Sequence, residues 1–185
     1  MRATDEQLIE TPDETTRKVV FDGKIMKVET CTVVQATGRR ASREMVRHSG
    51  GSAIAAVDDQ GRIAMVRQWR TPLSRVTEEL PAGKRDPGET LLQTAVRELK
   101  EETGCTAEHI ELMSTVYTTP GYSDEVLGVF LATGLTRGED DPDEGEFLQV
   151  DWVPLKEAYA KCMRGELPDS KTLCGILMAY EKLMK

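Results

Sequence analysis

The chain has 185 residues, 39% of them hydrophobic and 30% charged, with a formal net charge of −8. That is enough for one domain with its own core. Without an 18-residue apolar run nothing is expected to span a membrane, and the acidic balance argues against indiscriminate nucleic-acid binding, which needs a basic face. Residues 1–16 are polar and acidic, lack the basic-then-apolar order of a secretion signal, and read as a loose tail of a cytoplasmic protein. The cysteines Cys31, Cys105, Cys162 and Cys174 are scattered without a C-x-x-C pair, so free thiols are expected rather than zinc ligands.

From Arg17 onward, short β-prone runs appear at Lys18–Phe21, Ile25–Val34 and Glu44–Val46, with a turn at Gly38 between the last two. Gly50 and Gly51 then interrupt the chain. Ala53–Val57 and Ile63–Val66 read as buried strands joined through Asp58–Gly61. Thr90 to Thr103 is the clearest helix: Leu91, Leu92, Ala95, Val96 and Leu99 recur at helical spacing, and Gly104 stands where a left-handed cap belongs. Val116-Tyr117 and Val126–Ala132 predict strands around Pro120-Gly121, residues 138–146 an acidic loop, and Phe147–Val153 a further strand. Two amphipathic helices, Leu155–Arg164 and Ser170–Leu183, follow. Strands mixed with a few helices, without strict alternation, imply an α+β domain layered α/β/α. Trp69 and Trp152 lie in strand-like runs and are expected to pack, as are Cys174 and Met178; His48 reads as a structural histidine.

The informative stretch is Gly83-Lys-Arg-Asp-Pro-Gly-Glu89, continuing through Arg97-Glu98-Leu99-Lys-Glu101-Glu102 to Gly104-Cys105. A Gly/Pro loop enters a helix whose last turns carry glutamates at i, i+3 and i+4, on one face bordering the apolar stripe. Such carboxylates repel one another and oppose the negative helix end. A hard cation such as Mg²⁺, which takes a few carboxylates and keeps water and phosphate as its other ligands, removes both penalties. Alone, E-x-x-E-E also describes a solvated acidic helix end. The full pattern resembles the Nudix box, G-x5-E-x7-R-E-U-x-E-E-x-G-U, at every fixed charged and glycine position, a chance match on the order of one in a million. It departs only at the last aliphatic position, which holds Cys105.

The resemblance implies a Nudix fold: a mixed sheet between helices over residues 51–185, with an antiparallel β extension at 17–50 that builds a homodimer. It implies that Glu98, Glu101, Glu102 and the Ala82 carbonyl bind Mg²⁺, with Mn²⁺ a substitute, and that Arg97 and Glu89 form a supporting ion pair. The segments Val66–Pro72, Glu79–Gly83, Thr119–Glu125 and Asp143–Phe147 are similar to those of ADP-ribose pyrophosphatases and related nucleoside-diphosphate-sugar hydrolases. By that likeness the substrate is a small nucleotide, ADP-ribose, split to AMP and ribose 5-phosphate. Arg70, Glu44, Gly121 and Glu125 would contact it, and Glu144 or Glu146 would be the general base. A hydrolase of another sugar nucleotide, such as GDP-mannose, stays open, as does a non-catalytic ADP-ribose sensor.

Overall fold

The structure is a computed structural model and describes residues 4–138 and 148–185. Two compact units are formed: one by the chain up to Ser49 together with Thr119–Glu125, the other by Gly50–Thr118 and Val126–Lys185.

The first unit is an antiparallel sheet in the order β1 (Glu10–Asp22), β2 (Met26–Gln35), β3 (Arg40–His48). β1 starts at Glu10, inside the stretch read as a tail. Polar pairing rather than apolar burial holds it: Arg43 grips the Glu10 carboxylate, Arg40 reaches Asp13 at 2.7 Å, and the Thr16 hydroxyl accepts the Thr32 N–H at 2.8 Å. Hydrophobic patterning marks the Lys18–Phe21 end of this strand and is blind to its polar start. The turn expected at Gly38 closes β2 onto β3, with the Gly38 N–H on the Gln35 carbonyl. The Thr119–Glu125 segment is tied to β3, where the Val46 N–H donates to the Tyr122 carbonyl at 2.7 Å and the His48 N–H to Asp124 at 3.0 Å.

The second unit is an α/β/α sandwich. Its four-stranded sheet runs β7 (Ala82–Lys84), β4 (Gly51–Ala56), β9 (Val126–Arg137), β8 (Cys105–Tyr117); β4 and β9 are parallel and the other pairs antiparallel. A second sheet places β5 (Arg62–Arg70) between β10 (Leu148–Pro154) and β6 (Arg75–Glu79). The helices are α1 (Leu91–Thr103), α2 (Leu155–Met163) and α3 (Ser170–Met184).

Period-2 geometry splits β4 between two cores. Ile54 and Ala56 join Ala95 and Leu99 of α1 with Phe130 and Ala132 of β9. Ala55 faces the other way, with Leu131, Leu155 of α2 and Ile176 and Ala179 of α3. A strand covered on both faces reads as a continuous apolar run, which is why β4 stood out in the sequence. By contrast β8 extends over thirteen residues, of which the sequence marked two, and β6 and β7 carried no mark. The Glu and His of β8 are outward-facing, and its pairing with β9 overrides weak local propensity.

Trp69 does not pack as expected: it is 58% exposed, near the end of β5, where it pairs with Val76 of β6. Trp152 does pack, half-buried against the α1-side core with the Arg137 guanidinium 4.3 Å from its ring centroid. Cys174 and Met178 are half-buried, and the described cysteines are free. No described helix is long and apolar enough to cross a membrane.

Candidate active site

α1 is delimited by local chemistry. Thr90 caps it, accepting the Gln93 N–H while the Gln93 side chain returns to the Thr90 N–H, and Gly104 ends it at φ 67°. On the buried side, Ala95 and Leu99 sit beside Glu98 and Glu102, which are 8% and 3% exposed; Glu101 is half-buried.

Both buried carboxylates face β7. Glu102 accepts the Ala82 N–H at 3.0 Å. Glu98 lies directly over the Cα of Gly83, where any Cβ would overlap its carboxyl group. Glycine is required there by this close approach.

Arg97 gathers the rest of the cluster. Its Nη1 donates to Glu98 at 2.7 Å and to Glu101 at 2.8 Å, while Nε and Nη2 fork onto Glu89 at 3.0 and 3.1 Å. Nη2 also donates to the Lys84 carbonyl, locking the guanidinium to β7. The expected Arg97–Glu89 ion pair is therefore formed. Glu89 is further fixed by the Asp86 N–H and the Thr94 hydroxyl. Chiefly because of Arg97, its carboxyl is held down at about 2; the carboxylates in turn raise Arg97 above its already high value.

Among the described residues no three side chains stand ready-formed around one metal position, because Glu98 and Glu101 are turned to Arg97. The donor set nonetheless fits a hard divalent cation. Three carboxylates, Glu89, Glu98 and Glu101, meet one guanidinium, and the buried Glu102 stands one turn beyond Glu98 on the same helix face, a set of oxygen donors of the kind such a cation takes.

A second cluster lies at the ends of β5 and β6. Arg70 forks onto Glu79, Nε to Oε1 at 2.9 Å and Nη2 to Oε2 at 2.7 Å. The Thr77 hydroxyl and the Lys171 ammonium complete the shell of Glu79, and Lys171 also binds Asp169 at 2.9 Å. Burial alone would raise the Glu79 carboxyl, but Arg70 and Lys171 outweigh it and hold the group at about 2. Lys171 and Asp169 carried no sequence signal, since a polar helix start is common; Glu79 was visible only within the Glu79–Gly83 segment.

The remaining candidates belong to the first unit or fall outside the described residues. Glu44 is exposed on β3 of the first unit, paired in register with Thr30. Gly121 and Glu125 also belong to that unit, where Glu125 meets His48 Nδ1 at 3.1 Å. Glu144 and Glu146 lie outside the described residues.

The family model described as NUDIX domain matches residues 46–174. The chain belongs to the Nudix family. A curated relative from Bacillus subtilis (strain 168), an ADP-ribose pyrophosphatase, is 41% identical over 86% of this Nudix chain and 88% of its own. One from Bacillus methanolicus, named methanol dehydrogenase activator, is 36% identical over 85% and 86%. A solved structure described as an ADP compounds hydrolase has a TM-score of 0.80 over 95% of this chain and 94% of its own, at 22% identity, a likeness of fold.

Proposed function

We propose that this Nudix chain hydrolyses the diphosphate of ADP-ribose, giving AMP and ribose 5-phosphate, with Mg²⁺ as cofactor and Mn²⁺ as its substitute. The observation that carries the metal reading is the seating of Glu98 and Glu102 against Gly83 and Ala82, a rigid pair of buried oxygen donors beside the half-buried Glu101. The substrate reading is supported by the Bacillus subtilis relative.

Glu98, Glu101, Glu102 and the Ala82 carbonyl would hold the cations. When bound, these neutralise the diphosphate oxygens and acidify water for attack at phosphorus. Arg97, fixed by Glu89, keeps the last turn of α1 in place on β7. Arg70 offers a guanidinium to the diphosphate. Glu44, Gly121 and Glu125 are assigned to substrate binding, and Glu144 or Glu146 to accepting the proton from water. A carboxylate in a Gly-containing acidic stretch has the reach for that task.

The unit built on β1 is assigned a homodimer contact, supported by the exposed Val19, Val20 and Phe21. The free cysteines fit a reducing cytoplasm.

The deciding experiment is kcat/KM across a panel of nucleoside-diphosphate sugars with Mg²⁺, ADP-ribose and GDP-mannose included. Preference for ADP-ribose with release of AMP is expected. Tight ADP-ribose binding without turnover would instead make the protein a sensor.

A further inference from the structure

Glu79 is a buried carboxylate, its side chain 4% exposed, and it is saturated: Oε1 takes Arg70 Nε and the Thr77 hydroxyl, Oε2 takes Arg70 Nη2 and Lys171 Nζ. With its oxygens so engaged it is poorly placed to bind a metal or to act as a base at neutral pH. What it does is fix one edge of Arg70, whose side chain remains 37% exposed and within electrostatic reach of Glu102. Arg70 and Glu79 by themselves sum to zero charge, a poor attractor for an anion. Lys171, 12% exposed, supplies the second positive charge. Its other partner, Asp169, caps α3 by accepting the Thr172 N–H at 3.0 Å and the Thr172 hydroxyl at 2.6 Å, and its charge also reaches Arg70, so without Lys171 two carboxylates would face one guanidinium.

We propose that Lys171 is a positioning residue for substrate: by neutralising Glu79 it leaves Arg70 both oriented and electrostatically available to the diphosphate. The inference rests on the diphosphate reading given above and adds a specific residue from the first turn of α3. Lys171 acts on binding, through Arg70, without touching the reacting atoms. Removing its charge shifts affinity while leaving the chemical step intact.

The test is Lys171→Met, a near-isosteric loss of charge, read by KM and kcat for ADP-ribose and by the Kd of inorganic pyrophosphate with Mg²⁺. KM and Kd should each rise about tenfold with kcat within about twofold, as expected for one charge acting over a few ångströms in a half-wet site. Lys171→Arg should restore both. The double variant Lys171→Met with Glu79→Gln, which returns the cluster to the net charge of the wild type, should recover most of the lost affinity relative to Lys171→Met alone. A mere strut between β6 and α3 would give the opposite: unchanged affinity with a lowered Tm, or a double variant that binds no better than the single one. Either result overturns the proposal. Should Lys171→Met fail to fold, the double variant against Glu79→Gln alone carries the comparison: the charge of Lys171 acts on the anion with Glu79 neutral as well, so its loss should again weaken pyrophosphate binding about tenfold, and a loss of less than about threefold overturns the proposal. If the wild type binds pyrophosphate yet hydrolyses no nucleoside diphosphate, the substrate reading fails, and the pyrophosphate Kd still decides the role of Lys171.

Discussion

The Glu98 carboxyl group rests on the Cα of Gly83, so closely that the smallest side chain there would collide with it. Two positions fifteen residues apart in sequence thus define one surface, the helix supplying the donors and the strand supplying the space. Gly83→Ala must push Glu98 aside by roughly an ångström, and misplacement on that scale costs about a hundredfold in rate. Steady-state kinetics should show that fall in kcat with the far-ultraviolet spectrum unchanged.

Glu102 combines burial with a hydrogen bond to Ala82. Glu102→Gln keeps the shape and an acceptor but removes the charge. Turnover should drop by roughly two to three orders of magnitude, with Tm close to that of the wild type. Near-normal turnover would contradict the metal assignment.

Arg97 makes a planar set of contacts to Glu89, Glu98, Glu101 and the Lys84 carbonyl that an ammonium cannot reproduce. Arg97→Lys should weaken Mg²⁺ activation about ten- to a hundredfold, the range seen when groups that orient metal ligands are changed. The Mg²⁺ concentration for half-maximal activity is the readout.

Acid should loosen the junction of β6 with α3. Glu79 lies near 2 in the folded protein against 4.5 ordinarily. A depressed carboxyl contributes stability that is complete above the ordinary value and is lost as pH falls toward the folded one, here from about 4.5 to about 2. Urea midpoints should decline through that window, and Glu79→Gln should decline less steeply there.

Glu144→Gln and Glu146→Gln, made separately, distinguish the two candidate bases. Loss of a general base costs roughly a hundredfold or more, so one variant should be crippled and the other mild. Equal, mild losses would move the base elsewhere in the chain.

The sequence was most legible where one segment carries its own instructions. α1 announces its start with Thr90, its buried side with Ala95 and Leu99, and its end with Gly104; the box glutamates ride on that frame. β4 was legible because both its faces are apolar. What stayed hidden depends on partners remote in the chain. The first half of β1 is stitched by Arg40, Arg43 and Thr16 rather than by a hydrophobic face, and most of β8 exists because β9 is there to pair with it. Trp69 misled because a strand-like neighbourhood does not reveal that this side chain faces outward near the end of β5. Lys171 acquires meaning only once folding carries the start of α3 to Glu79.

The parallel pairing of β4 with β9 has an implication for biogenesis. During synthesis the apolar Gly51–Ala56 segment leaves the ribosome long before Val126–Arg137 exists to flank it. Until then the edge of β4 opposite β7 lacks its strand partner and the faces that β9 helps to cover stay open, the condition in which nascent chains recruit chaperones or misassociate. Expression yield should therefore respond more to translation speed across the stretch between these strands than to solubilising changes at the surface.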